Sequence, residues 1–261
     1  MEFLWEGFLS VTWQQIVMYF VGAALIWLAI KKEMEPTLLL PMGFGAILVN
    51  LPVAVEGTGV QHVLDTLFSI GIDGAELFPL MLFIGIGAMI DFGPLLTNPK
   101  LMLFGAAAQF GIFFTLSMAS VFFPEIKDAA SIAIIGAADG PTAIVVAQKL
   151  GSNYKAAIMV AAYSYMALVP IIQPPVIKLL TTKKERMIRM PYKAVSVSKT
   201  TRILFPIIIT IIAGIIAPSS IALIGFLMFG NLIRECGVLN SLSETAQKVL
   251  ANLITVFLGI T

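Results

Sequence analysis

Residues Ala129 to Leu150 read AASIAIIGAADGPTAIVVAQKL. Two short apolar runs flank Asp139-Gly140-Pro141-Thr142, so a carboxylate and a helix-breaking Gly-Pro pair sit inside sequence that otherwise has the character of membrane. A charge and an interrupted backbone are both costly in hydrocarbon, and in a membrane protein such cost marks function. Each run is also far shorter than the roughly 20 residues a spanning helix needs.

The whole chain supports a membrane setting. Its 261 residues are 59% hydrophobic and 12% charged, with a mean hydropathy of +0.97, whereas a soluble domain is about half apolar and about a quarter charged. A net charge of +1 gives no pull toward nucleic acid or an acidic partner. One cysteine, Cys236, and one histidine, His62, give neither a disulfide framework nor a Cys/His metal cluster, and they argue against zinc and Cys/His nucleophile chemistry. The N-terminal MEFLWEGFLSVTW carries Glu2 and Glu6 where a signal peptide carries positive charge, so it is expected to be retained. The apolar runs are long and continuous, not the alternating segments of an outer-membrane barrel. The predicted fold class is an all-α polytopic membrane protein, a helical bundle.

Outward from the opening stretch the chain divides into membrane segments. Trp13 to Ile30 is one bilayer thick and closes on Lys31 and Lys32. Thr37 to about Val55 holds Pro41, Gly43, Gly45 and Asn50 and ends at Glu56. In Gly57 to Glu76, Val60, Val63, Leu64, Leu67 and Phe68 recur at helical spacing, which predicts an amphipathic interfacial helix with His62 and Asp65 on its wet face. Leu77 to about Leu96 contains Asp91, and Gly93-Pro94 should break this helix just past the acid. Leu101 to Phe123 precedes the opening stretch, and Ala156 to Leu180, with Pro170, Pro174 and Pro175, follows it. Beyond lie Ile203 to Ala217, a turn at Pro218-Ser219, Ser220 to Ile233, and a polar interfacial stretch from Gly237 to Lys248.

Charge fixes the predicted topology. Lys183, Lys184, Arg186, Arg189, Lys193, Lys199 and Arg202 face Glu185 alone, so residues 181–202 are expected on the cytoplasmic side, together with Lys31, Lys32 and Lys100. If Ala129 to Leu150 spanned the membrane, this basic loop would end outside. A stretch that enters and returns on one side leaves it inside. The prediction is therefore a re-entrant hairpin over 129–150 with Asp139 to Thr142 at its tip, in preference to a kinked spanning helix.

The chain also resembles itself. Pro36 to Leu51, PTLLLPMGFGAILVNL, is similar to Pro218 to Leu232, PSSIALIGFLMFGNL, and Leu82 to Gly87 (LFIGIG) to Val256 to Thr261 (VFLGIT). By the predicted topology each copy runs opposite to its counterpart, the inverted repeat of secondary transporters, whose ion sites lie where broken helices meet. Residues 1–202 then form the first half and 203–261 the start of a second, incomplete repeat, expected to continue past Thr261.

Asp91 and Asp139 are the leading candidates for chemistry. A carboxylate inside the membrane must be protonated or find a cation. Oxygen ligands for sodium would come from both acids, from carbonyls freed at Gly93-Pro94 and Gly140-Pro141, and from the Thr142 hydroxyl. Asp139 also suits the N-cap of the helix that follows, and the two roles are compatible. Tyr163, Tyr165 and Gln173 either line a cavity opened by the prolines or pack between helices and at the interface. Asn50 and Asn231 fall at nearly matching repeat positions as ligands or interhelical hydrogen bonders. The sequence has no Walker A motif, no strand-linked GxGxxG and no Ser/His/Asp arrangement.

Four motifs carry a resemblance: IGIGAMIDFGPLL (Ile84 to Leu96), IIGAADGPTAI (Ile134 to Ile144), AAYSYMALVPIIQPPV (Ala161 to Val176) and GFLMFGNLIRECGV (Gly225 to Val238). Through them the chain resembles the beta subunit of the biotin-dependent, sodium-translocating decarboxylases, which act on oxaloacetate, glutaconyl-CoA, methylmalonyl-CoA or malonate. The resemblance implies an inner-membrane subunit that decarboxylates carboxybiotin, takes up a proton and exports Na+. It makes Asp91, in the DFGPL motif, the key acid of sodium and proton coupling. Asp139, Gly140, Thr142, Tyr163, Tyr165, Gln173 and Asn231 are placed along the ion path, with Asp91 and Asp139 binding Na+. No Ala-Met-Lys-Met biotinylation motif occurs in the chain, so biotin must arrive on another subunit. Carboxyltransferase, biotin-carrier and small membrane subunits, and further copies of this chain, are the implied partners. A sodium- or proton-coupled carboxylate symporter is the rival reading; a passive structural subunit would not need two acids in the membrane.

Overall fold

The computed structural model describes residues 10–33, 36–52, 59–74, 76–189 and 197–261. Glu2, Glu6, the end of the second segment at Val55 and Glu56, and Lys193 lie outside them. In chain order the helices are α1 (Trp13–Lys32), α2 (Pro36–Val49), α3 (Val60–Phe68), α4 (Leu77–Met89), α5 (Gly93–Thr97), α6 (Met102–Phe122) and α7 (Ile126–Ala133). They continue with α8 (Gly140–Lys149), α9 (Lys155–Leu180), α10 (Lys183–Arg186), α11 (Lys199–Ile216), α12 (Ile221–Cys236), α13 (Asn240–Thr245) and α14 (Ala251–Ile260). Among the described residues there is no strand. Among the described residues four helices are long and apolar enough to cross a membrane, or up to six if each bent pair is one span. The protein is an all-α polytopic membrane protein.

Two compact units divide the chain, one of residues 1–82 with 251–261 and one of residues 83–250. In the first, α1 starts on a capping box in which Thr12 and Gln15 exchange hydrogen bonds, and it ends on Lys31 and Lys32, complementing the helix dipole at its C-terminus. It packs along α2. The Asn50 side chain, at the end of α2, donates to Ala46 O of its own helix (2.8 Å), and the interhelical bond at this residue runs through its main-chain carbonyl, which accepts from the Tyr19 hydroxyl of α1 (2.9 Å). In α3, Leu64 is buried while His62 and Asp65 are exposed, as predicted; Val60 and Val63 are exposed too. α14 returns to pack on α2, close enough that a Cβ on Gly45 would lie 2.5 Å from Ile260 O.

In the second unit α4 and α12 approach each other closely at two glycines. A Cβ on Gly87 would lie 1.8 Å from Leu227 O and one on Gly230 would lie 2.0 Å from Ile84 O, so the two backbones touch. α11 and α12 form a hairpin about the turn Pro218–Ser220. α6 exposes Phe104, Phe110, Phe113, Phe114 and Phe122, the surface that hydrocarbon covers in a membrane.

The break after α4 falls earlier than the sequence suggests. α4 stops at Met89, so Asp91 lies within the break and not before it. The cause is the next turn: Pro94 has no N–H for the carbonyl of Ile90, and the Gly93 N–H, which would serve Met89, turns to Asp91 Oδ1 (2.9 Å). α12 supplies both missing donors. Asn231 Nδ2 donates to Ile90 O (2.9 Å) and Arg234 Nη1 to Met89 O (2.7 Å).

Candidate functional site

The stretch from Ile126 to Lys149 folds as two helices joined by a 3-10 turn (Ile134–Ala137), with Ala138 in the left-handed region at φ 55° to reverse the chain. Asp139 then caps α8: its carboxylate accepts from the Thr142 N–H (3.5 Å) and from the Thr142 hydroxyl. Pro141 falls in the first turn, where its missing N–H costs nothing. Small residues let α8 approach α9, burying Ala143, Ala147, Ile158 and Ala162 as one cluster. At the tip, the Gly140 N–H points at Met166 Sδ (3.0 Å), and a Cβ on Gly140 would lie 2.9 Å from Tyr163 Cε1. Tyr163 is 5% exposed, and its hydroxyl has no hydrogen-bond partner among the described residues. A buried, unsatisfied hydroxyl costs about 1–3 kcal/mol. The Tyr163 ring lies against Gly140, the residue after Asp139, and a tyrosine hydroxyl, a carboxylate and a threonine hydroxyl are hard oxygens of the kind that suits a small cation.

The two ends of this stretch are held together. Asp128, 4% exposed, accepts from Ser152 Oγ (2.8 Å), from the Asn153 N–H (2.8 Å) and from Asn153 Nδ2 (3.0 Å). At the same end Lys149 Nζ donates to Ser219 O (2.8 Å) in the α11–α12 turn. Burial pushes the Asp128 carboxyl up, but the hydrogen bonds from Ser152 and Asn153 together outweigh it and hold the group below its ordinary value of 3.8. Because the folded value is the depressed one, the neck gains stability above the unfolded pKa and loses it as pH falls through the folded one. Hydrogen exchange of the Asn153 amide, corrected for its intrinsic pH dependence, is expected to accelerate below pH 3.8. Asp128→Ala should show the same acceleration at neutral pH, and unchanged protection there would count against the clamp.

Asp91 occupies a separate place. Its side chain is 36% exposed, and its Oδ1 receives the Gly93 N–H and lies 3.8 Å from Arg202 Nη1. No hydrogen bond or ion pair joins Asp91 to Asp139 among the described residues. The structure therefore gathers Asp139, Gly140, Thr142 and Tyr163 at the hairpin tip. It leaves Tyr165 (38% exposed) and Gln173 on exposed parts of α9, whose two arms, Lys155–Met166 and Ile171–Leu180, meet at 59°. Asn231 is 1% exposed and its amide is spent on the α4 carbonyls. The carbonyls released by Gly93-Pro94, expected to be open to a cation, are likewise taken by Asn231 and Arg234.

Sequence reasoning missed Arg202, Arg234, Glu235 and Met166. Arg202 was one basic residue among several in a loop, and nothing local marked it as the partner of Asp91. Arg234 and Glu235 lie in the quoted GFLMFGNLIRECGV motif, three and four residues past Asn231, which places them on the same helical face and was the available signal.

Comparison with known proteins bears on this arrangement. The family described as Na+-transporting oxaloacetate decarboxylase beta subunit matches residues 14–261. The methylmalonyl-CoA decarboxylase subunit beta of Propionigenium modestum is 46% identical over 280 residues, covering 98% of this chain and 70% of the relative. The glutaconyl-CoA decarboxylase subunit beta of Acidaminococcus fermentans is 47% identical over 256 residues, covering 97% and 67%. The oxaloacetate decarboxylase beta chain of Klebsiella pneumoniae is 41% identical over 305 residues, covering 94% and 70%. The chain thus spans about two thirds of the length of these relatives. With a match running from α1 to Thr261 and taking in both the broken α4–α5 segment and the capped hairpin, the chain belongs to the family of Na+-transporting oxaloacetate decarboxylase beta subunits.

Proposed function

We propose that this chain is the membrane subunit of a sodium-pumping, biotin-dependent decarboxylase, accepting carboxybiotin from a partner carrier and coupling its decarboxylation to sodium export. The observation that carries the reading is the hairpin tip, where the Asp139 carboxylate, the Thr142 hydroxyl and the unpartnered Tyr163 hydroxyl offer oxygen donors to a small cation. In the reaction the bond between carboxyl carbon and ureido nitrogen breaks, its electron pair stays on nitrogen, nitrogen takes a proton, and carbon dioxide leaves. That step needs a proton route and a polar pocket more than a nucleophile. Asp91 and Asp139 supply the coupling because a proton and a sodium ion compete for one carboxylate, so binding of one releases the other. Tyr165 and Gln173 continue the path along α9, and Asn231 shapes it by holding the end of α4. The protein resides in the inner membrane as a homo-oligomer with carboxyltransferase, biotin-carrier and small membrane subunits.

The test is release of carbon dioxide from the carboxylated carrier protein by the assembled, full-length complex. Stimulation by sodium supports the reading; substrate uptake into liposomes without any biotin protein would replace it with a symporter. Within that assay Asp91→Asn is expected to abolish sodium-dependent decarboxylation, and retained coupling would remove Asp91 from the mechanism.

A further inference from the structure

Four charges gather at the break between α4 and α5, and three of them, Arg202, Arg234 and Glu235, have no part in the reading above. Arg202, in the first turn of α11, places Nη1 3.8 Å from Asp91 Oδ1 and 3.5 Å from Glu235 Oε2. Both are long contacts through one nitrogen, unlike the two-pronged pairing by which arginine grips a carboxylate. Glu235, whose side chain is 11% exposed, is also held by Arg234 Nε at 3.6 Å, and Arg234 is itself anchored on Met89 O at 2.7 Å. The Arg234–Glu235 pair is thus fixed to α4, while Arg202 Nη1 makes a long hydrogen bond to Glu235 Oε2 (3.5 Å) and stays within ion-pair reach of Asp91 Oδ1 (3.8 Å). Gly93 leaves the room for this, since a Cβ there would lie 2.9 Å from Asp91 Oδ1 and 3.0 Å from Arg202 Nη2. Both contacts to Asp91 fall on Oδ1, and among the described residues no hydrogen bond falls on Oδ2.

As it stands the cluster is balanced, two carboxylates against two guanidinium groups. A sodium ion on Asp91 adds a charge of the same sign as Arg202 at close range, and Glu235 is the nearby carboxylate on which Arg202 can settle. We propose that Arg202 is the resident counter-ion of Asp91, and that sodium reaches Asp91 by displacing Arg202 onto Glu235. Arg202 and Glu235 are positioning residues that set how tightly Asp91 holds sodium. This inference rests on the reading of Asp91 as a sodium-binding acid.

The experiment uses the assembled full-length complex. Two quantities are measured: the sodium concentration giving half-maximal decarboxylation, and, independent of turnover, the concentration that protects Asp91 from carbodiimide modification as read by mass spectrometry. Arg202→Gln removes the competitor, so both concentrations should fall by about fivefold, the scale of a half-exposed ion pair. Glu235→Gln confines Arg202 to Asp91, so both should rise by about as much. Structural damage would move the two variants the same way, and either variant alone still carries a predicted sign if the other fails to assemble. Shifts of equal sign, or none, with Asp91→Asn still abolishing sodium dependence, would overturn the counter-ion role and leave the reading of Asp91 intact. Sodium dependence unchanged in Asp91→Asn would overturn that reading and this inference with it.

Discussion

Asparagine in place of Asp139 is expected to lower sodium-dependent decarboxylation by at least ~100-fold while leaving the hairpin folded. Asparagine caps a helix about as well as aspartate, so the bond from the Thr142 N–H survives and α8 keeps its start. What disappears is the negative charge. Removing one partner of a poorly solvated charge pair costs about 3–5 kcal/mol, which corresponds to roughly a hundredfold or more in affinity. Asp139→Ala should lose the cap as well, costing a further ~1 kcal/mol of stability. The two variants therefore separate charge from capping when carbon dioxide release against sodium concentration is measured beside thermal melting of the purified protein. Normal coupling in Asp139→Asn, with normal melting, would reduce Asp139 to a helix cap.

The second large effect concerns packing. Gly87→Ala or Gly230→Ala is expected to destabilise the protein by roughly 3 kcal/mol or more, combining overpacking with buried carbonyls that lose their donors. An alanine Cβ at residue 87 would lie 1.8 Å from a backbone oxygen, where ordinary contact begins at 3.4 Å, and a backbone carbonyl cannot rotate aside. The helices must separate instead. Separation draws Asn231 and Arg234 away from Ile90 O and Met89 O, so the end of α4 and the position of Asp91 loosen together. Gly105→Ala is the control: a Cβ there meets nothing within 4 Å, and alanine is the better helix former. Melting temperatures in one detergent decide the matter; equal melting of Gly87→Ala and Gly105→Ala would show that α4 and α12 do not meet as described.

The helical, membrane-spanning character was legible because hydrophobic run length is a local property, set by bilayer thickness and the need of every backbone group for a partner. The hairpin stretch was legible for a related reason, since Asp139-Gly140-Pro141 encodes a cap, a break and a proline in the first turn within a few residues. The position of the α4 break was not. Pro94 announced a missing donor, but which residue replaced it depended on α12, distant in the chain. Nor did any local feature say that Tyr163 faces the tip while Tyr165, two residues on, is exposed; that follows from the packing of α9 on Gly140.

By itself, then, the sequence determined that this is a polytopic helical membrane protein with acids in two broken segments, because length, periodicity and proline act within a few turns. Only the tertiary structure decided what each acid faces: Asp139 turns to Thr142, and Asp91 shares Arg202 with Glu235. Charge pairs and backbone carbonyls are satisfied through space, and two glycines that admit backbone contact between α4 and α12 bring the donors within reach.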